Sequence, residues 1–160
     1  MAQKIEAALR ASKRQQEWIH EIAPDTIIIV TGCHNVPETF DRPSAYELKA
    51  AIDDVMKSAK RTFLHAIVMG DLWFFTKESN IQNHRNVISI GSSAVNSLTG
   101  IIESKSGKPV QQDANGRWQI LRDGNRWALF GDRAEDTYDA LSRFKDRDLP
   151  GFLGEIWPYI

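Results

Sequence analysis

One segment of the chain constrains its fold more than any other. Residues 26–31 have the sequence TIIIVT, in which every residue is β-branched, and they lie between Pro24 and Gly32. β-Branched side chains disfavour helix and favour extended backbone. The central apolar residues follow one another without polar residues between them, which is typical of a strand buried on both faces of a parallel sheet. We therefore expect helices on both faces of the sheet to which this strand belongs.

Two further apolar segments predict additional strands of the same sheet. The first covers residues 62–69 and is followed by Gly70, and the second covers residues 86–90 and is followed by Gly91. Between the strands, apolar residues recur at the three- and four-residue spacing of amphipathic helices. The helices predicted from this spacing cover residues 2–22 and 93–104, and a third begins at residue 44 and ends between residues 57 and 61. Strands and helices that alternate in this order favour parallel strands with right-handed connections.

A capping signal predicts where the second helix begins. Ser44 is followed three residues later by Glu47, a spacing at which each side chain can accept a hydrogen bond from a free backbone N–H group of the first turn. The polar residues before it, 32–43, are predicted as a loop. A long loop beside the end of a buried strand often carries functional residues.

Residues 108–131 have a different pattern from the part before them. Three short predicted strands are separated by Asn115-Gly116 and Asp123-Gly124, dipeptides that favour tight hairpin turns. The strands predicted here cover residues 110–112, 118–121 and 126–130. We expect an antiparallel meander whose last strand, 126–130, rejoins the main sheet.

The C-terminal part, residues 132–160, is predicted to form helices. Asp132 and Glu135 have the spacing of another capped helix start. The inward face of this helix is predicted to consist of Thr137, Tyr138, Leu141 and Phe144. The apolar tail, residues 149–160, is expected to dock as a short helix. The aromatic residues of the tail and of the first helix either bury each other or form the surface of a homodimer.

These elements predict a single α/β domain over residues 1–160. Its expected architecture is Rossmann-like, with a mostly parallel central sheet in a three-layer α/β/α arrangement, a C-terminal antiparallel meander and terminal helices. The expected segments are an N-terminal helix (1–22), a βαβ-type core (26–107), the meander (108–131) and the C-terminal helices (132–160). Apolar residues make up 42% of the chain and charged residues 26%, values that fit an ordinary globular domain and exclude a disordered chain.

Charge and composition exclude several classes of function. The formal net charge is −1, which argues against a broad nucleic-acid surface. The longest purely apolar runs, 27–30 and 66–69, are far shorter than a membrane span, and the N-terminus lacks the pattern of a secretory signal. The single cysteine, Cys33, cannot form an intramolecular disulfide. We therefore expect a cytoplasmic protein with no membrane partner.

The expected topology places a ligand site at one edge of the sheet. In open parallel sheets, ligands bind outside the carboxyl ends of the strands. Each of the three predicted strands ends at a glycine followed by polar residues, and a glycine allows close approach of a ligand. The candidate ligand-binding residues are Gly32, Cys33, Arg42, Gly70, Trp73, Gly91, Ser92, Ser93 and Asn96. The candidate acid–base residues are Asp71, His34 and Glu38.

The segment Gly91-Ser92-Ser93 is the most suggestive of these features. It connects a predicted strand to a predicted helix, so that backbone N–H groups and two hydroxyls can cradle an anion or a phosphate. The alternative is that one serine simply caps the helix. The chain contains no G-x-G-x-x-G, G-x-x-x-x-G-K-[ST] or G-x-S-x-G motif, so the usual dinucleotide, phosphate-loop and nucleophile-elbow signatures are absent.

Two other chemistries receive little support from the sequence. Cys33 and His34 are adjacent, and adjacent side chains on an extended chain point to opposite sides, which disfavours a cysteine nucleophile with a histidine base. The side chains of His34, Glu38, Asp41 and Asp71 do not show the spacing of a zinc or calcium site. We predict no metal site, and the sequence does not identify a cofactor.

Three hypotheses of function follow from these observations. The first is a small-molecule binding domain that recognises a nucleotide or another phosphorylated or anionic metabolite at the strand ends. The second is a hydrolase or a glycosyl- or group-transfer enzyme that uses carboxylates in the same crevice. The third is a protein-interaction module with no small-molecule site, whose surface is the aromatic tail and the meander; a crevice filled by Trp73 and Phe75 would favour it. The sequence alone does not decide whether the protein catalyses a reaction.

Overall fold

The protein folds around a six-stranded mixed sheet. The computed structural model describes residues 22–59, 66–76 and 80–158. The strands are β1 (Ile27–Thr31), β2 (Ala66–Gly70), β3 (Val87–Ile90), β4 (Gln111–Gln112), β5 (Trp118–Asp123) and β6 (Arg126–Gly131). Their order across the sheet is β2-β1-β3-β6-β5-β4.

Most of the sheet is parallel, as the sequence predicted. Strand β1 pairs in parallel with β2 and β3, and β3 pairs in parallel with β6. Strands β5 and β4 continue the sheet antiparallel to β6. The meander is therefore confirmed, and so is the expectation that its last strand rejoins the main sheet. The α/β class with a mostly parallel sheet is confirmed with it.

Six helices accompany the sheet within the described residues. They are α1 (Asn35–Thr39), α2 (Asp41–Ser58), α3 (Asp71–Phe74), α4 (Ser97–Lys105), α5 (Ala134–Arg147) and α6 (Leu149–Ile156). A short 3₁₀ helix covers Asn80–Asn83. The helix predicted over residues 2–22 lies outside the described residues, except for Ile22.

The side chains of β1 alternate between two apolar clusters, because successive residues of a strand point to opposite faces. Ile27 and Ile29 belong to a first cluster, which contains residues of α2, α5 and α6. Ile28 and Val30 belong to a second cluster, which contains Leu98 and Ile102 of α4. All five residues of β1 are buried. The β-branched run therefore forms a strand covered on both faces, as expected.

Aromatic contacts fix the C-terminal helices on the first cluster. The ring of Trp127 on β6 meets Phe144 of α5 at 5.1 Å and Phe152 of α6 at 6.0 Å, both edge to face. Such pairs contribute about 0.5–1.5 kcal/mol each beyond the burial of their area. The docking of the tail as a short helix is thus confirmed.

The region between β1 and α2 differs from the prediction. Residues 32–43 are not a loop, since they contain α1, and α2 begins at Asp41 instead of Ser44. Pro43 is the third residue of α2, and a proline is tolerated in the first turn because its missing N–H has no partner to bond there. The hydroxyl of Ser44 donates to the carbonyl of Phe40 at 3.2 Å. The capping box at Ser44 was therefore wrong.

The start of α5 also differs from the prediction. Arg133 occupies the N-cap position and no side chain caps the helix, so Asp132 and Glu135 do not form a capping box. Instead, the hydroxyl of Thr137 accepts a hydrogen bond from the N–H of Gly131 at 3.0 Å. Tyr138 is exposed and does not face inward. The other three residues predicted to face the core are buried.

Candidate functional site

A cleft with a volume of about 530 Å³ lies along β2 and extends to its carboxyl end. We call it the carboxyl-edge cleft. It is lined by Ile22, Cys33, Glu38, Arg42, Ile67, Val68, Met69, Gly70, Trp73 and Ile81. Apart from Ile22, which precedes β1, these residues belong to β2, to the segment after β1, to α1, α2 and α3, and to the 3₁₀ helix. The position agrees with the rule that ligands bind outside the carboxyl ends of parallel strands.

The cleft brings together only part of the predicted site. Five predicted site residues line it, namely Cys33, Glu38, Arg42, Gly70 and Trp73. The others are not part of its lining, namely Gly32, His34, Asp71, Gly91, Ser92, Ser93 and Asn96. The role of each of these residues in ligand binding stays a prediction, but their contacts show what each does in the fold.

Asp71, the first residue of α3, has a buried carboxylate that accepts several hydrogen bonds. It accepts from the backbone N–H of Leu72 at 2.9 Å and from both the N–H and the hydroxyl of Ser97 at 3.0 Å. Burial by itself raises the pKa of a carboxyl group, but the hydrogen bonds from Ser97, the Cys33 thiol and Leu72 outweigh it and hold the pKa of Asp71 below its usual range. Asp71 is therefore ionised at neutral pH and ties the start of α4 to the end of β2.

Cys33 follows β1 and lines the cleft as a half-buried thiol. Burial raises the pKa of this thiol, and the neighbouring carboxylate of Asp71 raises it further. The hydrogen bond with the Leu72 N–H group lowers the pKa, but by less than these effects raise it. A β-carbon built on Gly70 would lie 2.1 Å from the Cys33 sulfur, so glycine is required for this close approach. The thiol stays protonated at neutral pH, which disfavours a role as nucleophile.

Arg42 and Glu38 form an ion pair on the wall of the cleft. Nη2 of Arg42 donates to Oε1 of Glu38 at 2.6 Å, and Nε lies 2.6 Å from Oε2. Nη1 carries two further N–H donors, which no described residue accepts. The pair therefore presents an oriented guanidinium edge and a carboxylate to the same space.

Trp73 of α3 lines the cleft with a side chain that is 48% exposed. Its neighbour Phe75 instead packs edge to face on Phe74, with ring centroids 5.2 Å apart. The two aromatic side chains therefore do not fill the cleft together. An exposed indole at the edge of a cleft provides a face on which a planar ring can stack.

The segment before α4 is not the helix N-terminus that the sequence predicted. The helix begins at Ser97, with Asn96 as its N-cap, so Ser92 and Ser93 lie in the turn before it. The side chain of Asn96 accepts from Leu98 N at 3.1 Å and donates to two strand carbonyls, while Asp71 accepts from Ser97 N. The start of the helix is thus already occupied by protein acceptors. The anion cradle at Ser92 and Ser93 therefore does not include the helix N-terminus, and binding of an anion by these serines stays a prediction.

Two of the candidate glycines are required by local geometry, one by a close backbone contact and the other by a positive φ. A β-carbon on Gly32 would lie 1.8 Å from the carbonyl oxygen of Val95. Gly91 has φ +103°, and a β-carbon there would lie 2.4 Å from Oδ2 of Asp41. His34 is exposed at the N-cap of α1 and makes no capping hydrogen bond. None of the three contributes to the wall of the cleft.

Asp41 also lies at this edge, and it was not among the predicted acid–base or ligand-binding residues. It is 7% exposed, its carboxylate lies against Gly91, and no described residue donates a hydrogen bond to it. Burial raises its pKa to about 6. The hydroxyl of Thr31, at the end of β1, is also buried without a described partner. In the sequence, Asp41 is recognisable only as a carboxylate that lacks the spacing of a metal site.

The comparisons with known proteins provide no further identification. No protein-family model, no curated protein and no solved structure matches this chain. Within residues 22–59, 66–76 and 80–158, no group of three or more His, Cys, Asp or Glu side chains could hold a metal ion. In the same ranges, no helix has the length and apolar character that a membrane span requires.

Proposed function

We propose that this chain is a binding domain for a small nucleotide-like or other anionic metabolite. The observation that carries the proposal is the carboxyl-edge cleft, where a stacking surface and an oriented ion pair line the same space. Its volume of about 530 Å³ is in the range of small-molecule sites, which are mostly apolar with a few placed polar groups. Here the polar groups are Cys33, Glu38 and Arg42, and the rest of the lining is largely apolar.

The lining indicates how such a ligand is held. A planar ring stacks on Trp73, an anionic group accepts from Nη1 of Arg42, and a ligand hydroxyl donates to Glu38. Asp71 adds a second carboxylate behind the Cys33 thiol. Because two carboxylates accompany one guanidinium, the cleft favours a ligand with a single anionic group over a polyphosphate.

We extend this proposal to the architecture and the setting of the site. The first apolar cluster places α2, α5 and α6 together, and the second places α4 with the alternate residues of β1. This division supports a Rossmann-like three-layer arrangement. The lone cysteine supports a cytoplasmic location. A homodimer formed through the terminal segments stays a prediction.

A thermal-shift screen tests the proposal directly. The compounds are adenosine, adenosine monophosphate, adenosine triphosphate and ribose 5-phosphate. Binding to the native state at 100 times Kd adds about 2.7 kcal/mol of stability, which raises the Tm of a domain of this size by about 5–10 °C. We expect the monophosphate to give the largest shift, and the absence of a shift with every compound contradicts the proposal.

Two matched pairs of variants locate the binding site. Trp73→Ala should weaken binding of the monophosphate about fivefold or more, because base–aromatic stacking is worth about 1–3 kcal/mol. Tyr138→Ala removes a similarly exposed aromatic residue on α5 and should leave binding unchanged.

The second pair tests the guanidinium. Arg42→Gln removes the donors of Nη1, and Arg117→Gln is its control, because Arg117 forms an ion pair of the same spacing with Asp113. We expect the loss of affinity only in Arg42→Gln, and a larger loss for the monophosphate than for adenosine. Equal losses of affinity in both arginine variants would contradict the assignment of the ligand to the carboxyl-edge cleft.

A second candidate function is favoured by one observation, the opposite pKa shifts of two carboxyl groups at this edge. The pKa of Asp41 is raised to about 6, whereas that of Asp71 is lowered. Carboxyl groups whose environments separate their pKa values are typical acid–base pairs of hydrolases and group-transfer enzymes. The test is to assay any compound found in the screen for turnover between pH 5 and pH 8. Asp41→Asn should then abolish turnover and preserve binding, whereas unchanged turnover would exclude this role.

A further inference from the structure

A second pocket lies at the opposite edge of the sheet. Its volume is about 670 Å³, and it is formed by the β5–β6 hairpin, the end of α4, the residues before β3 and Phe75, which follows α3. We call it the amino-edge pocket. Arg126 begins β6 and pairs with Val87, the first residue of β3. Since the strands rise about 3.3 Å per residue, this pocket is on the order of 15 Å from the carboxyl ends of the strands.

The charged side chains of the amino-edge pocket are mostly basic. Arg85, Lys105 and Arg126 line it together with one carboxylate, that of Asp123. None of the three cations forms an ion pair with a carboxylate of the described residues. The whole chain carries a net charge of −1, so this local excess of positive charge differs from the average surface. Convergent cations raise the local concentration of anions.

Arg126 is held in a fixed orientation. Its Nη2 donates to the carbonyl of Gln82 at 2.7 Å and to the carbonyl of His84 at 2.9 Å. These neutral acceptors orient the guanidinium without cancelling its charge. The N–H groups of Nε and Nη1 have no described acceptor, and three donors are therefore left in a fork that fits phosphate oxygens. A side chain that is already ordered loses less entropy when a ligand binds.

Structural roles explain only part of this arrangement. Lys105, in the last turn of α4, interacts favourably with the helix dipole, and Arg126 connects the 3₁₀ helix to β6. Neither role requires Arg85, nor does it require that the three cations surround one open pocket. We propose that the amino-edge pocket binds a small phosphorylated molecule with at least two negative charges. This site is separate from the carboxyl-edge cleft and does not depend on its function.

Calorimetric titration of the full chain with inorganic pyrophosphate tests the proposal. The ionic strength is held constant, because salt screens such contacts. The double variant Arg85→Gln/Lys105→Gln removes two exposed charges, and Lys57→Gln/Arg143→Gln removes the same charge from exposed positions elsewhere. We expect the affinity to fall about tenfold or more in the first variant, and by less than about twofold in the second. Unfolding curves verify that both variants fold.

Three results would overturn the proposal. The first is the absence of pyrophosphate binding at concentrations up to about 10 mM, since weaker binding would not indicate a specific site. The second is an equal loss of affinity in both double variants, which shows a general effect of net charge. The third is binding only to vesicles that contain anionic lipid, with loss in the Arg85→Gln/Lys105→Gln variant, which assigns the cations to a membrane surface.

Discussion

Asp41 makes the stability of this protein depend on pH in a direction opposite to that of most paired carboxylates. Its carboxylate is buried against Gly91, and no described N–H, O–H or cation compensates its charge. Ionisation is therefore more costly in the folded chain than in the unfolded one. The folded-state pKa is about 6, above the usual value of about 3.9.

The magnitude follows from the difference between the two pKa values. A group whose pKa is raised on folding binds its proton more tightly in the folded state, so its protonated form stabilises the fold at low pH. This contribution disappears as the pH rises from about 4 to about 6. A difference of about two pKa units at about 1.4 kcal/mol each amounts to a loss of about 3 kcal/mol. The Asp41→Asn variant keeps the shape of the side chain and removes the ionisation.

Urea unfolding of the wild type and of Asp41→Asn between pH 3.5 and pH 8 measures this effect. The free energy of unfolding of the wild type, relative to the variant, should fall by about 2–3 kcal/mol from pH 4 to pH 7. Unchanged m-values verify that both chains expose the same surface on unfolding. Parallel curves over the whole range would refute the conclusion that Asp41 is ionised at a cost in the folded state.

Three further predictions concern the surroundings of the site and the core. Asp71→Asn should lower the free energy of unfolding by about 1–3 kcal/mol at pH 7, relative to the wild type in the same urea assay. This difference should vanish as the pH falls through the lowered pKa of Asp71. Gly91→Ala should destabilise the fold by about 2 kcal/mol or more, measured by urea unfolding, because its φ is positive and the added carbon meets Asp41. Gly116→Ala, with a positive φ but open space, should cost only about 1 kcal/mol. Phe144→Ala, which removes a fully buried ring beside Trp127, should cost about 3–5 kcal/mol in the same measurement.

The fold was largely predictable because it depends on patterns of many residues. The run of β-branched residues in β1 determines a strand buried on both faces, and the Asp123-Gly124 turn determines the hairpin that returns β6 to the sheet. The ends of the helices depend on single hydrogen bonds instead. Asn96 caps α4 by accepting from the N–H of Leu98, and its side-chain amide is held in place by donating to the carbonyls of Val30 and Ile90. The sequence does not show these partners.

The position of the carboxyl-edge cleft was predictable from the sequence, but only part of its lining was. The rule for parallel sheets places Cys33, Gly70 and Trp73 at the same edge, and the structure brings all three to one cleft. The burial of Asp41 depends on how the first turn of α2 packs against Gly91. That contact joins residues 50 positions apart, so local sequence patterns do not reveal it.

The most direct test of the central claim is NMR mapping of the contact surface of the ligand. Adenosine monophosphate is titrated into isotope-labelled protein, and the shifts of the backbone amides and of the Trp73 indole are followed. The proposal predicts that the largest changes occur at Cys33, Gly70 and Trp73. Changes confined to the β5–β6 hairpin, or none at concentrations up to about 10 mM, would contradict the claim that the carboxyl-edge cleft binds a metabolite.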